Sequence, residues 1–223
     1  MSAPPVFLDF DGVIVDSLHI YIELFKNLCT QHSKRLLYED VEEFRGWYEA
    51  NWEINFFDLG FTNEEYLAVC EGLTEIVDYT RTRFFEGIPE MLRTLSETNP
   101  LVVVSTARTE SIVERLRSAG LLGYFQAVTG SDDGSSGKVA RLAALKSGIG
   151  ATTGVMVGDT DHDIEAGRAN KLITVGVTYG WITPARVKAA RPDFLVDQPG
   201  DLPAAIQEAL KACTPADIPS FEA

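Results

Sequence analysis

The chain has 223 residues, enough for one large domain or for a medium domain carrying a smaller one. Its 33 acidic and 19 basic residues leave a formal charge of −14, which disfavours nucleic acid and anionic membrane surfaces as partners, because both select clustered cations. No window approaches the roughly 18 uninterrupted apolar residues of a membrane span, and residues 1–5 are too short and uncharged for a signal region.

A cytoplasmic protein, monomeric or homodimeric, is therefore expected. Cys29, Cys70 and Cys213 are far apart and odd in number, so they are read as buried reduced thiols. His19, His32 and His162 are equally scattered, which leaves little material for a zinc site or a Ser-His-Asp triad.

The chain opens with VFLDFDGVIVDS, in which apolar residues surround Asp9, a second acid follows at Asp11 and the chain turns at Gly12. This pattern predicts a buried strand over residues 6–10 that delivers two carboxylates to a sheet edge. Carboxylates so close repel, and burial raises the cost of charging either, so a bound cation or a shared proton is the usual resolution. Leu18, Tyr21, Ile22, Phe25, Leu28 and Cys29 then fall at helical spacing, with Asp16 or Ser17 as N-cap.

From residue 34 to residue 83 strand signals are scarce and helical ones recur, including Asn63 as a cap before Leu67, Cys70, Leu73 and Val77. The aromatic-rich stretch 47–61 is read mainly as core material. Residues 18–83 thus form a small α-helical domain inserted after the first strand, and residues 1–17 with 84–223 form the main one. From Gly87 onward β-branched runs at 101–104, 127–129, 155–157, 173–177 and 194–196 alternate with helical patterns at 89–97, 110–119, 138–146, 163–170, 184–190 and 202–210. That alternation is the signature of an α/β fold with a Rossmann-like parallel sheet. Gly120 and Gly148 are read as helix-ending glycines, and residues 214–223 as a loose tail.

Ligands of open parallel sheets bind beyond the carboxyl ends of the strands, so what each strand ends in matters. The first ends in Asp9 and Asp11, the next in Ser105 and Thr106, and the run 155–157 leads into Asp159 and Asp163, while Lys138 opens a helix after the loop DDGSSG. Each has an ordinary alternative: helix capping for Ser105, Thr106 and residues 159–163, and a solvated surface position for Lys138. Their joint placement at strand ends points instead to one site.

FLDFDGVIVDS, LVVVSTAR, the Lys138 region and MVGDTDHD resemble, in order, the four motifs of the haloacid dehalogenase superfamily. FFEGIPEMLRTL and VGVTYGW are similar to the phosphoglycolate phosphatase-like branch, and the helical insertion is similar to its cap. The resemblance implies that Asp9 is the nucleophile and Asp11 the general acid and base. It implies that Ser105, with Thr106 at a second position, holds the transferring phosphoryl group, and that Lys138 neutralises Asp9 and the phosphate. Magnesium is implied as cofactor, bound by Asp9, the Asp11 backbone carbonyl and Asp159, with Asp163 acting mainly through water.

Two positions depart from the usual pattern: Lys138 lacks the flanking prolines of many relatives, and Thr106 stands where asparagine is frequent. The expected activity is magnesium-dependent hydrolysis of a small phosphorylated metabolite through an aspartyl phosphate. A phosphosugar mutase is the alternative, with Arg45 in FRG matching a basic residue of similar caps. A phospho-aspartate signalling module without turnover is more remote. Among Lys26, Lys34, Arg35 and Arg45, Arg45 is the expected contact for a substrate's remote anionic group.

Overall fold

The computed structural model describes residues 3–213, and of residues 73–76 only the backbone. The expected tail at 214–223 therefore lies outside the described residues, as does the side chain of Leu73. Strand β1 (Val6–Leu8) runs through the turn 9–14 into β2 (Val15–Asp16). Helices α1 (Leu18–Gln31), α2 (Val41–Trp47), α3 (Trp52–Asp58) and α4 (Asn63–Ile76) follow before β3 (Arg83–Phe84).

The remainder alternates helix and strand: α5 (Ile88–Ser96), β4 (Leu101–Val104), α6 (Thr109–Ser118), β5 (Phe125–Thr129), α7 (Lys138–Gly148), β6 (Val155–Gly158), α8 (Asp161–Ala169), β7 (Ile173–Val177), α9 (Pro184–Ala189), β8 (Phe194–Val196) and α10 (Leu202–Ala212).

Six strands form one parallel sheet in the order β5-β4-β1-β6-β7-β8. Because successive side chains point to opposite faces, the apolar run of each strand is shared between two cores. Val6, Leu8, Val103, Val157 and Val175 pack with Leu92, Ile112, Leu116 and Ile206 on one face. Phe7, Val102, Val104 and Met156 pack with Leu142 and Ala166 on the other. The chain leaves β1 toward β4 and β5, then returns to the far side of β1 for β6, so the order reverses next to β1. Crevices at such reversals are where open α/β sheets hold their ligands.

The fold class is the expected one, a parallel α/β sheet with helices inserted after its first strand. One local reading is corrected and two features are added. The antiparallel pair of β2 and β3, Val15 with Phe84 and Asp16 with Arg83, is an unforeseen ribbon where the chain leaves and rejoins the sheet. Two-residue strands leave no periodicity to read. The cap of α4 is Thr62 rather than Asn63: its hydroxyl accepts from Glu65 N–H at 3.2 Å while the Glu65 carboxylate accepts from Thr62 N–H at 2.8 Å. Helix α7 ends at Gly148 as expected, and the left-handed residue follows at Gly150 (φ +67°).

Candidate active site

The β1 end and the turn after it are shaped by a glycine. Gly12 has φ +76°, and a Cβ there would sit 2.1 Å from Asp159 Oδ2. Only glycine permits both that backbone angle and that approach. Gly158 at the end of β6 permits a close approach only, since a Cβ there would meet the Asp163 side chain at 2.0 Å. Loops after two neighbouring strands are thereby pressed together, and three buried carboxylates, Asp9, Asp159 and Asp163, bring oxygens within 4.8 Å of one another.

Lys138, the first residue of α7, reaches into this cluster. Its Nζ lies 2.8 Å from Asp9 Oδ2 and 2.6 Å from Asp163 Oδ1. The other oxygen of Asp9 accepts from Phe10 N–H at 2.7 Å. Asp163 spends its second oxygen on the capping box of α8, accepting from Thr160 N–H at 3.0 Å and from the Thr160 hydroxyl at 2.7 Å. Capping and active-site placement, which the residues alone left as alternatives, thus coincide in one side chain. Asp159 Oδ2 accepts from Trp181 N–H at 2.6 Å.

One ammonium among three carboxylates leaves two negative charges uncompensated in a buried cluster. Burial pushes the Asp9 carboxyl up to about 7, with Lys138 opposing and the charge of Asp163 reinforcing the rise. Burial likewise raises Asp159 well above the ordinary carboxylate range, helped by Asp163 and Asp9. Burial works against the charge on Lys138, but Asp163 and Asp9 outweigh it and hold the ammonium above its usual range. A set of hard oxygen donors lacking two positive charges fits a divalent cation such as magnesium.

Asp11 stands apart from the three-carboxylate cluster. Its Oδ2 accepts from the Tyr79 hydroxyl at 3.0 Å, and Tyr79 and Tyr21 share a further hydroxyl contact of 2.7 Å. Its Oδ1 is buried without a hydrogen-bond partner. Burial raises the Asp11 carboxyl to about 6, with the Ser17 hydroxyl and then Tyr79 pulling back by stabilising the charged form.

A cavity of about 660 Å³ opens onto these groups, lined on the sheet side by Asp9, Asp11, Lys138, Asp159, Thr106 and Arg108. Ser105 is fully buried, accepts from Ala107 N–H at 3.0 Å and does not line the cavity, whereas Thr106 does. Arg45 is also absent from the lining. Its guanidinium donates to the Tyr179 carbonyl at 3.1 Å and faces Glu42 at 3.3 Å, so it ties the inserted helices to the loop after β7. Arg186 makes a second such tie, donating to the Tyr48 carbonyl at 2.6 Å and facing Glu49 at 2.9 Å and Asp161 at 3.0 Å. The expected contact of Arg45 with a remote anionic group has no support in this placement.

Several neighbours of the site escaped the sequence reading. Tyr79 and Tyr21 carried only a helical or turn signal, and Trp181 acts through its backbone N–H, which leaves no trace in residue type. Arg108, at the end of LVVVSTAR, lines the cavity with its Nε buried and unpartnered. Cys70 is half-buried against the cavity rather than packed in a core.

The profile of haloacid dehalogenase-like hydrolases matches residues 6–177. The pyrophosphatase PpaX of Listeria welshimeri is 33% identical over 129 residues, a match spanning 56% of this chain and 59% of that protein. The chain thus covers under two thirds of that relative. The probable phosphatase IndB of Dickeya dadantii is 33% identical over 221 residues, covering 93% of this chain and 95% of its own. A haloacid dehalogenase-like hydrolase from Streptococcus pneumoniae superposes with a TM-score of 0.79 over 91% of this chain and 97% of its own, at 18% identity, a likeness of fold alone. Among the described residues no helix is long and apolar enough to cross a membrane. A profile match over most of the chain and a relative one-third identical along nearly all of it make this chain a member of the haloacid dehalogenase-like hydrolases.

Proposed function

We propose that the chain is a magnesium-dependent phosphatase that hydrolyses a small phosphate monoester through a phosphorylated Asp9. The observation that carries this reading is the buried cluster in which Lys138 bridges Asp9 and Asp163 while Asp159 stands against them. The name of the relative IndB, given as a probable phosphatase, supports the same reaction class.

Phosphoryl transfer is chiefly positioning and charge neutralisation. Asp9, Asp159, Asp163 and the Asp11 backbone would hold magnesium, which supplies charge compensation for the carboxylates and the phosphoryl oxygens. Asp9 attacks phosphorus with the oxygen free of the Phe10 N–H. Lys138 keeps that carboxylate charged and oriented from one side, and Asp163 holds Lys138 in turn. The loop headed by Ser105 and Thr106 receives phosphoryl oxygens, Ser105 by ordering the loop and Thr106 by facing the cavity.

Asp11 carries the proton. With a carboxyl raised to about 6, it holds a proton often enough near neutrality to give it to the leaving alkoxide. It then takes a proton from the water that hydrolyses the acyl phosphate. Tyr79 fixes one oxygen of Asp11, which leaves the unpartnered Oδ1 for this transfer. Residues 18–83 act as a cap over the core formed by residues 1–17 and 84–223, and their closure excludes water from the site.

The test is phosphate release from a panel of small esters, with magnesium and with a chelator. Release is expected only with magnesium, and Asp9→Asn is expected to lower it by more than about a thousandfold. Activity that survives the substitution sinks the assignment of Asp9.

A further inference from the structure

The cavity's two walls differ in chemistry. From the inserted helices come Tyr21, Tyr48, Trp52 and Tyr66, and the loop after β7 adds Trp181 beside them. Trp181 packs on Tyr21 with ring centroids 4.6 Å apart and on Tyr48 at 4.9 Å, and Tyr21 meets Trp52 at 5.4 Å. Trp52 Nε1 donates to the Tyr48 hydroxyl at 3.1 Å, which fixes both rings. These contacts make a continuous, neutral aromatic surface, with Trp52 and Tyr66 only half-buried.

Among the described residues no lysine, arginine or histidine of the insertion lines the cavity. Lys34 is engaged with Glu65 at 3.0 Å and Arg81 with Glu23 at 2.6 Å, while Arg45 is turned toward Tyr179. The cations that do line the cavity belong to the sheet side. Lys138 is held by Asp9 and Asp163, Arg141 by Asp133 and the Ser105 carbonyl; Arg108, with its Nε unpartnered, stands on the loop that carries Thr106, and His162 lies on α8. A second anionic group placed on the aromatic wall would lose water and gain no counter-charge from the wall's own residues. A planar ring placed there would gain stacking or edge contacts.

We infer that this wall selects phosphate monoesters whose alcohol carries an uncharged planar ring, and disfavours esters with a second anionic group. The inference rests on the phosphatase reading of the sheet edge and adds the class of leaving group. The ring can belong to an aryl alcohol or to the base of a nucleotide, and both offer the same stacking face.

Binding to the Asp9→Asn protein with magnesium present tests selection separately from turnover. Calorimetry with phenyl phosphate, adenosine 5′-monophosphate and phosphoglycolate is expected to rank a ring-bearing ester about tenfold or more above phosphoglycolate. The better of the two ring esters identifies the source of the ring. Adding Trp52→Leu is expected to bring the ratio close to one; Tyr66→Leu serves if that protein does not fold. Phosphoglycolate binding as tightly as the ring esters, no binding of any of the three, or a ratio unmoved by the wall substitutions would each overturn the inference. If the ranking holds but the unsubstituted protein turns over none of them, the phosphatase reading fails and the selectivity stands.

Discussion

The sheet edge and the inserted helices face one cavity and place opposite chemistries against it. At the sheet edge, three buried carboxylates and one lysine are forced together by backbone, through Gly12, Gly158 and loops that begin at strand ends. On the insertion, Tyr21, Tyr48 and Trp52 form a chain of ring contacts with Trp181, with their charged neighbours turned outward. A crowded electrostatic site must be built on rigid elements, because a small displacement leaves a buried charge unpaired. An aromatic wall tolerates variation, because any ring of similar size keeps most of the contact. On the function proposed above, the chemistry would rest on the part with the least room for displacement, and the inferred selectivity on the part that tolerates exchange of one ring for another.

The comparison breaks most sharply if the lysine is removed. Lys138→Met leaves Asp9 and Asp163 facing each other without their shared ammonium, and the two carboxylates are 8% and 0% exposed. Denaturant unfolding is expected to show a loss of about 3–5 kcal/mol, the range for unpairing a buried charge, with turnover falling by about a hundredfold or more. Gly12→Ala attacks the same edge through backbone. The left-handed angle alone costs about 1–2 kcal/mol, and the new methyl must displace Asp159. Lower thermal stability together with weaker magnesium binding is the expected pair of results; an unchanged magnesium affinity would separate Gly12 from the cation site.

A pH series sharpens the comparison without any mutation. Asp9 at about 7 and Asp11 at about 6 in the folded protein stand above the range near 4 of an unfolded chain. The folded state therefore binds more protons between those limits, and its stability in chelator falls as pH rises from about 4 to about 7. Magnesium, which binds the charged carboxylates, is expected to raise the melting temperature more at pH 8 than at pH 5. Melting curves with and without the cation check this.

The smallest effect is expected at the junction of the two regions. Tyr79→Phe removes the hydrogen bond that favours charged Asp11, so the limb of the pH–rate profile belonging to Asp11 moves upward while kcat falls by about tenfold or less. A profile that does not move would confine Tyr79 to a packing role.

The sheet and its strand-end acids were legible in the sequence because both rest on local pattern. Buried parallel strands read as β-branched runs, and a polar residue that ends such a run must lie at the sheet edge. Asp9, Lys138, Asp159 and Asp163 are brought together as that logic requires. What was not legible depends on contacts between distant segments. Nothing near Tyr79 announces that it meets Asp11, and the Trp181 N–H that holds Asp159 is invisible in residue type. Arg45 shows the converse: position in FRG suggested a substrate contact, but only the docking of α2 against the loop after β7 determines where its guanidinium goes. The aromatic stretch 47–61 divides in the same way, Phe56 entering the core while Trp52, one helical turn earlier, faces the cavity.

The claim that Asp9 is the phosphoryl acceptor is open to direct chemical test. Protein quenched in acid during turnover and reduced with borohydride is expected to yield homoserine at position 9, identified by peptide mass spectrometry, because an acyl phosphate is reducible and a free carboxylate is not. Steady phosphate release with position 9 unmodified, or with the modification at another aspartate, would contradict the account.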